Sequence, residues 1–343
     1  MSIVAIVGAG MMGSAMSIPL SDNGHEVRLV GTPLDREIIT SVQLTGMHPT
    51  LRRELPKCVK AFQVEDLNTV LEGIDLLIGG VSSFGVEWFA ENVLPRVSHQ
   101  NLPVLSVTKG LEEHSDTGLR PFPDRFKDRF STSKVSFNAI GGPCTSYELA
   151  DRRHSAVAFC GDDLAVLQKL KTMVETPYYH LSVSTDVIGI EFSVALKNAY
   201  ALGVTLAIGL VEKDEGIGCV EAYNPQAALF GQSIREMTRL VKMFDGQEES
   251  VLFGASDLYV TVFGGRTRKL GTLLGRGLSF AQAMAELESV TLESVAIATR
   301  VANTLRKMEI AGIANMSDFP LLMHIDEIIN CGKPVAIPWH SFG

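Results

Sequence analysis

Short apolar runs alternate with segments of helical period along the first half of the chain. Ile3–Val7 has the continuous apolar character of a buried strand, and the spacing from Met11 to Asn23 predicts a helix that ends at Gly24. Further strands are predicted at Glu26–Val30, Asp75–Val81, Pro103–Thr108, Lys134–Ile140 and Ser155–Phe159. Strands that alternate with helices are typical of a parallel, doubly wound sheet. The pattern therefore predicts an α/β domain over residues 1–184.

After about residue 185 the pattern changes to long segments of helical period. Asp186 and Ser279 are placed to cap two of these helices, and Asn224 followed by Pro225 opens another. The predicted helices span residues 186–211, 225–243, 279–288, 290–308 and 319–331. Residues 185–343 are therefore expected to form an all-α domain.

The first of these helices reaches the length of a membrane span, about 20 residues. However, Glu191, Lys197 and Asn198 lie inside the apolar segment 187–211. Ionisable groups at membrane depth are costly. A buried helix in a soluble protein is therefore the better interpretation.

The composition excludes several classes of protein. The chain has 343 residues, of which 46% are hydrophobic and 20% charged, so general disorder is not expected. Lys and Arg number 30 against 39 Asp and Glu, and this net charge of −9 argues against a nucleic-acid binder. Five scattered cysteines without a CxxC pair predict neither a disulfide framework nor a metal site. The first residues lack a basic region, so we do not expect them to be a signal peptide. We therefore expect a cytoplasmic protein.

The segment 8–13 is a GxGxxG motif between a predicted strand and a predicted helix. Gly8 permits a tight turn, Gly10 lets the backbone approach a pyrophosphate, and Gly13 lets the helix pack closely on the strand. The first N–H groups of the helix, which would face the phosphates, belong to Met11 and Met12. This context predicts a Rossmann-type dinucleotide site, with a purely structural turn as the alternative.

The end of the second strand leaves the choice of dinucleotide open. Asp35 could hold a ribose 2′-hydroxyl, and the adjacent Arg36 could accept a 2′-phosphate, with Thr32 nearby. A solvated helix start explains the same residues. NAD and NADP thus both remain candidates, and Val81, at the end of the predicted strand Asp75–Val81, is a further candidate cofactor contact.

Two other strand ends carry candidate chemistry. Lys109 follows an apolar strand, and Gly142 lies in a Gly-Gly-Pro turn after the next one. The carboxyl ends of strands line the ligand crevice in doubly wound sheets, so both residues are candidates for the active site. A surface lysine and an ordinary loop are the alternatives.

The helical half adds two further groups. Lys197 and Asn198 lie among apolar residues, where a lysine is uncommon unless it is paired or functional; a lysine that snorkels at the helix edge is the alternative. Asp257 and Thr261 are one turn apart if their segment is helical. A basic cluster after a Gly-Gly bend is the best candidate for a phosphate site, and it consists of Arg266, Arg268 and Lys269.

In order along the chain, these motifs resemble the NAD(P)-dependent glycerol-3-phosphate dehydrogenase family. The segments are VGAGMMGSAM, SVTKGLE, GGP followed by a Glu, GIEFSVALKNAYALG and ASDLYVTVFGGRTRKLGTLLGRG. The likeness runs from Ile3 to about Arg300. It implies a Rossmann domain, a helical substrate domain, a homodimer, and the interconversion of dihydroxyacetone phosphate and sn-glycerol 3-phosphate with NAD or NADP.

The resemblance also implies roles for individual residues. Lys197 would be the catalytic lysine and Lys109 a second active-site lysine. The polar site would be completed by Asn198, Asp257 and Thr261.

Three more residues complete the implied substrate and cofactor contacts. Arg266 would bind the substrate phosphate and reach the cofactor, with Thr267 and Gly142 beside the substrate. Glu293 would lie near the nicotinamide ribose.

The chain departs from the family pattern at several positions. Thr267 replaces the usual Asn, Ser193-Val194 replaces a pair of smaller residues, Ser294 replaces Gly, and Ser82 replaces Pro. These changes are compatible with the same chemistry but open the choice of substrate to another phosphorylated polyol or ketone. Outside the family, a ketopantoate-reductase-like or β-hydroxyacid-dehydrogenase-like enzyme is an alternative, as is a non-catalytic NAD(P)H sensor. The basic cluster argues against these other reductases, because it favours a phosphorylated substrate. Lys109 and Lys197 argue against a sensor, which would need neither.

Overall fold

The computed structural model describes residues 1–114, 118–288 and 292–343. Its strands are β1 (Ile3–Val7), β2 (Glu26–Val30), β3 (Met47–His48), β4 (Arg53–Glu54), β5 (Lys60–Phe62), β6 (Leu76–Gly79), β7 (Pro103–Ser106), β8 (Leu111–His114), β9 (Gly118–Pro121), β10 (Ser136–Gly141), β11 (Ser155–Gly161) and β12 (Tyr179–Ser184). All the predicted strands are confirmed, with ends shifted by up to two residues.

The helices between these strands are α1 (Met11–Asp22), α2 (Arg36–Thr45), α3 (Leu67–Val70), α4 (Val86–Asn92), α5 (Leu94–Val97), α6 (Phe122–Arg129), α7 (Ser146–Ala150) and α8 (Leu164–Val174). The later helices are α9 (Val187–Glu215), α10 (Tyr223–Met243), α11 (Val251–Val262), α12 (Gly265–Gly275), α13 (Phe280–Ala285), α14 (Glu293–Ile310) and α15 (Pro320–Cys331). The predicted helix start at residues 290 and 291 lies outside the described residues.

The chain divides into two compact units. One comprises Met1–Lys109 and Pro121–Val187, and the other comprises Gly110–Arg120 and Ile188–Gly343. Strands β8 and β9, which pair with each other, thus belong to the helical unit as far as Arg120. There, Arg300 donates a hydrogen bond to the carbonyl of Leu111. The domain boundary expected after residue 184 remains a prediction.

The first unit is built on an eight-stranded sheet in the order β12-β11-β10-β7-β6-β1-β2-β5. Neighbouring strands run parallel except for β10 and β11. Six neighbouring strands of this sheet, β5-β2-β1-β6-β7-β10, have the order 3-2-1-4-5-6 of a Rossmann fold. The direction of this order reverses between β1 and β6. The predicted α/β fold is therefore confirmed.

Alternate residues of β1 enter the cores on the two faces of this sheet. Val4 and Ile6 pack in one core, which helices α1 and α8 cover. Ala5 and Val7 pack in the other, which helices α4, α5 and α6 cover. Because both faces are covered, the central strand β1 is apolar throughout, as expected for a buried parallel sheet.

Apart from β8 and β9, the second unit is helical, with α9 among its buried elements. This 29-residue helix is long and apolar enough to cross a membrane, but 78% of its most apolar window is buried within the protein. Neighbouring helices approach it closely, since a Cβ added to Gly275 of α12 would lie 2.2 Å from the carbonyl oxygen of Leu206. The interior position of the helix agrees with the prediction.

The last twelve residues form an ordered strap on this unit. Val335, Ile337 and Phe342 pack against its hydrophobic core. The backbone N–H of Ala336 donates to Nε2 of the buried His324 at 3.1 Å. The C-terminal segment thus contributes to the packing of the helical unit.

Candidate active site

The glycine motif forms the turn between β1 and α1, beside the end of β6. Gly8 has φ +107°, and a Cβ on it would lie 2.7 Å from the backbone of Gly80. A Cβ on Gly13 would lie 2.3 Å from the carbonyl oxygen of Gly8. By contrast, a Cβ on Gly10 would meet only Gly80, at 3.8 Å. Two of the three glycines are therefore required by packing, whereas Gly10 leaves room above the loop.

The N-terminus of α1 is open to an anion. Gly10 occupies the N-cap position and has no side chain that could cap the helix. The first helical N–H groups, which include those of Met11 and Met12, therefore lack an intrahelical acceptor. Met11 is exposed, while Met12 packs partly against the core of the sheet. This geometry fits a phosphate group at the helix end.

Asp35 has a structural task. Its Oδ2 accepts hydrogen bonds from the Thr32 backbone N–H and hydroxyl, both at 2.8 Å, and from the Ala9 N–H at 3.2 Å. The carboxylate thus joins the loop after β2 to the glycine turn. The role expected for Asp35, a bond to a ribose hydroxyl, stays a prediction.

A cavity of about 450 Å³ lies above the glycine turn. Five predicted cofactor residues take part here, since Gly8, Gly10, Thr32, Asp35 and Val81 all line it. The other lining residues are Pro33, Leu34, Gly80, Ser82, Phe84, Gly85 and Trp88. The cavity lies at the carboxyl ends of the strands, where the strand order reverses, which is the usual position for a dinucleotide.

Arg36 is the first residue of α2 and does not line this cavity. Its exposed guanidinium pairs with Glu65. The hydrogen bond between them raises the pKa of Arg36 and lowers the pKa of Glu65. A 2′-phosphate would have to compete with Glu65 for this cation.

Lys109 lies three residues beyond the carboxyl end of β7. Its Nζ donates to the carbonyl oxygen of Gly142 at 3.0 Å. Gly142 has φ +126°, and a Cβ on it would lie 3.1 Å from the Cα of Val157. The two predicted residues are therefore in direct contact within the first unit.

In the helical unit, Lys197 meets both predicted polar residues of α11. Its Nζ lies 3.0 Å from Oδ1 of Asp257 and 2.7 Å from Oγ1 of Thr261. The Thr261 hydroxyl donates to the Asp257 carbonyl at 2.7 Å, so its oxygen accepts from the lysine. The lysine side chain is 12% exposed and the aspartate side chain 3%. The ammonium is thus positioned by two acceptors at the edge of the protein interior.

Asn198, the next residue of α9, is half-buried. Ser193 and Val194, which depart from the family pattern, are fully buried. The Ser193 hydroxyl donates to the carbonyls of Ile190 and Ser250. This departure is therefore accommodated in the helix packing.

The three residues of the predicted basic cluster all lie on α12 but have different surroundings. Arg266 is exposed at the start of the helix, and its side chain has no hydrogen bond or ion pair among the described residues. Arg268 instead pairs with Glu221 at 2.6 Å, and Lys269 donates to the carbonyl of Glu286. Of the three cations, Arg266 is the one left for a substrate phosphate.

Two further predicted residues lie in the first turns of helices of the second unit. Thr267 is half-buried in the first turn of α12. Glu293 is the first residue of α14 and is also half-buried. Neither position changes the roles that the resemblance implies.

Sequence reasoning missed several residues of the cavity. Gly80 packs against the glycine turn, while Phe84 and Trp88 line the cavity. The Gly79-Gly80 pair at the end of β6 was the available signal for Gly80. His48, whose ring contacts the glycine turn, has no sequence signal, because the partners are 39 residues apart and the surrounding segment has no clear period.

A doubly wound sheet with a glycine turn at the point where its strand order reverses defines a dinucleotide-binding protein. Models of the NAD-dependent glycerol-3-phosphate dehydrogenase N-terminus and C-terminus match residues 3–166 and 186–338, respectively. The chain belongs to this family of oxidoreductases that act on a CH–OH group.

Named relatives agree with the family match. An NADP(+)-dependent glycerol-3-phosphate dehydrogenase of Archaeoglobus fulgidus is 37% identical over 83% of this chain and 84% of its own length. A glycerol-3-phosphate dehydrogenase [NAD(P)+] of Koribacter versatilis is 27% identical over 97% and 94%.

Solved structures show the same fold. The glycerol-3-phosphate dehydrogenase of Coxiella burnetii has a TM-score of 0.79 at 23% identity, with 99% of this chain and 97% of that chain covered. A ketopantoate reductase of Ralstonia eutropha has a TM-score of 0.59 at 15% identity, with 96% and 99% covered. This reductase thus shares the fold, with a lower TM-score and a lower identity than the Coxiella burnetii enzyme.

Proposed function

We propose that the protein reduces dihydroxyacetone phosphate to sn-glycerol 3-phosphate with NADH or NADPH, and catalyses the reverse reaction. The observation that carries this proposal is the Lys197 ammonium held by Asp257 and Thr261 in a member of this family. The predicted motifs, the family match and the named relatives all support the same reaction.

The first unit fits a nicotinamide dinucleotide. Gly10 leaves the space that a pyrophosphate would need, and the uncapped start of α1 offers N–H donors. Two exposed apolar side chains of the cavity, Leu34 and Phe84, suit the flat faces of a base. Asp35 and Arg36 leave both NAD and NADP open. A bound cofactor supplies or accepts the hydride at its nicotinamide ring.

The helical unit supplies the proton. During reduction of the ketone, we assign to Lys197 the donation of a proton to the C2 oxygen, which becomes the hydroxyl of the product. During oxidation the neutral amine takes that proton back. Asp257 and Thr261 orient the ammonium, and we assign to Asn198 a hydrogen bond to the same substrate oxygen.

Further residues complete the proposed site. We assign to Arg266 the binding of the substrate phosphate, because a guanidinium binds phosphate through two hydrogen bonds. Thr267 would assist it with a hydroxyl where the family has an amide. Lys109, Gly142 and Glu293 retain the roles that the resemblance implies.

The phosphate assignment can be tested by comparing dihydroxyacetone phosphate with dihydroxyacetone. Replacing Arg266 by Met is expected to lower kcat/KM for the phosphorylated ketone about 100-fold, since a hydrogen bond to a charged group contributes about 1.5–3 kcal/mol. Dihydroxyacetone should be affected little. Arg268→Met is the matched control, because Arg268 is already paired with Glu221. Equal losses in the two variants would contradict the assignment.

We also propose a cytoplasmic location and a homodimer. The scattered cysteines support the former. Leu252, Tyr259 and Phe263 are exposed along α11 and its end, which supports the latter. Light scattering after size exclusion measures the oligomeric state, and a monomer at micromolar concentration would contradict the dimer.

A further inference from the structure

Both polar backbone groups of Ala9, in the middle of the glycine turn, are bound by side chains. Its N–H donates to Oδ2 of Asp35 at 3.2 Å, and its carbonyl accepts from Nε2 of His48 at 2.8 Å. Ala9 and His48 are both fully buried. The turn is therefore held in one conformation by two residues that come after β2 in the sequence.

The hydrogen bonds of His48 define its tautomer. The Leu51 backbone N–H donates to Nδ1 at 3.0 Å, so Nδ1 is an acceptor. Nε2 therefore carries the proton and donates to the Ala9 carbonyl. A neutral imidazole satisfies both contacts at once, and each ring nitrogen has a distinct task.

The hairpin that carries His48 is fixed at several points. Strands β3 and β4 pair antiparallel, and Leu55 donates its N–H to the carbonyl of Gly46 at 2.9 Å. Arg53 forms two hydrogen bonds with Asp151, at 2.5 and 2.8 Å. Leu51 is buried in the sheet core. Since the hairpin is anchored on both sides, the imidazole has a fixed position from which to hold the turn.

A glycine-rich turn is intrinsically flexible, and its ordering would otherwise have to accompany ligand binding. The carbonyl of Ala9 points to His48, and the next residue, Gly10, begins the open end of α1. Holding that carbonyl therefore also holds the peptide that leads into the helix. The N–H groups of α1 are then already oriented before a phosphate arrives.

We propose that His48 is a positioning residue for the dinucleotide, acting through its Nε2–H and the Ala9 carbonyl. This inference rests on the proposed function only for the identity of the ligand, a nicotinamide dinucleotide. The imidazole itself does not contact the cofactor.

Two substitutions separate the roles of the two ring nitrogens. His48→Gln keeps an N–H donor near the position of Nε2 and loses the acceptor for Leu51. His48→Asn keeps an acceptor near the position of Nδ1 and loses the donor to Ala9. A role limited to the hairpin fold makes the Gln variant the more defective one, whereas positioning of the turn makes the Asn variant the more defective one.

The readout is the Kd of NADH and NADPH, measured by quenching of Trp88, which lines the cavity. A Trp339→Phe background removes the only other tryptophan. We expect His48→Asn to raise both Kd values about tenfold and His48→Gln to raise them no more than about threefold, the range of one hydrogen bond. Equal Kd values for the two variants, or a larger loss in His48→Gln, would overturn the proposal.

A kinetic comparison adds an independent measurement. At saturating cofactor, His48→Asn should keep kcat within about twofold of wild type while the KM for the cofactor rises. If both His48 variants fail to fold, Arg53→Ala loosens the hairpin at the surface and leaves His48 and Ala9 in place. It should then raise both Kd values, and unchanged values would overturn the proposal.

The two proposals fail in different ways. A wild-type protein that binds neither dinucleotide overturns both of them. A wild-type protein that binds a dinucleotide but does not reduce dihydroxyacetone phosphate overturns the proposed function alone. Normal binding and turnover in His48→Asn overturn the positioning role alone.

Discussion

The Lys197 ammonium lies 3.0 Å from Oδ1 of Asp257, across two helices and 60 residues of sequence. Both side chains are largely buried, so each charge depends on its partner. The pair therefore contributes to stability as well as to the proposed chemistry, and mutations must separate these two effects.

Replacing Lys197 by Met should lower kcat by a factor of about 10²–10⁴, the usual contribution of a general acid–base group. It should also destabilise the fold by up to about 3–5 kcal/mol, because the buried Asp257 loses its cation. The double variant Lys197→Met/Asp257→Asn removes both charges and should recover much of that stability without recovering activity. Turnover and urea unfolding measure the two effects, and a double variant that regained activity would contradict the catalytic role.

The glycines of the motif should separate folding from binding in the same way. Gly10→Ala should keep wild-type stability and weaken dinucleotide binding at least about tenfold, because the added methyl occupies space that the pyrophosphate needs. Gly13→Ala should instead lower the free energy of unfolding by about 1–3 kcal/mol, since its Cβ would overlap the Gly8 carbonyl. Calorimetric titration and thermal unfolding distinguish the two, and normal binding by Gly10→Ala would contradict this account.

Glu236 is expected to stabilise the helical unit from its interior. Its carboxylate accepts from the N–H groups of Leu321 and Leu322, at 2.8 and 3.0 Å, and so caps α15. Gln232 and Tyr200 donate to the same carboxylate. Glu236→Gln turns an amide NH₂ toward at least one of these donors, and should cost about 1–3 kcal/mol. Tyr200→Phe removes only one donor and should lower the free energy of unfolding by less. Equal stability of Glu236→Gln and wild type in urea unfolding would refute the capping role.

The strap at the C-terminus should be sensitive to pH through His324. Burial lowers the pKa of this imidazole from its ordinary 6.5. The negative charge of Glu327 raises the pKa in part, and the positive charge of Lys333 lowers it further. The neutral form accepts the Ala336 N–H, so its contribution to stability is present above about pH 6.5 and is lost as the pH falls through the lowered value.

His324→Gln keeps an acceptor for Ala336 and does not titrate. Between pH 7.5 and 5, the free energy of unfolding should therefore fall more steeply for wild type than for this variant. Denaturant unfolding at several pH values measures the difference. If the free energy of unfolding fell equally with pH in wild type and His324→Gln, the protonation of His324 would not affect the stability of the strap.

The sequence predicted the parts of the site that are local or chemically unusual. Gly8, Gly10 and Gly13 follow a strand at fixed spacing, and Lys197 lies in an apolar helix where an unpaired charge is costly. Asp257 and Thr261 are one turn apart on a helix that the structure confirms. The partners Lys197 and Asp257 could be nominated separately, but their contact arises from helix packing.

Other features depended on non-local contacts and could not be read from the chain. Asp35 has the spacing of a ribose ligand, yet it binds Thr32 and Ala9. The antiparallel direction of β11 has no sequence signal, because buried strands are apolar in either direction. Helix α9 continues four residues beyond its predicted end at residue 211, through a polar segment in which Glu212, Lys213 and Glu215 favour helix.

The central claim is tested most directly by initial rates of NADH and NADPH oxidation with dihydroxyacetone phosphate. The account predicts robust turnover with at least one cofactor, formation of sn-glycerol 3-phosphate, and a rate ratio that shows whether NAD or NADP is preferred. A panel of other phosphorylated ketones, with ketopantoate as the rival substrate, completes the assay. Absence of turnover of dihydroxyacetone phosphate by protein that binds the cofactor would contradict the proposed reaction.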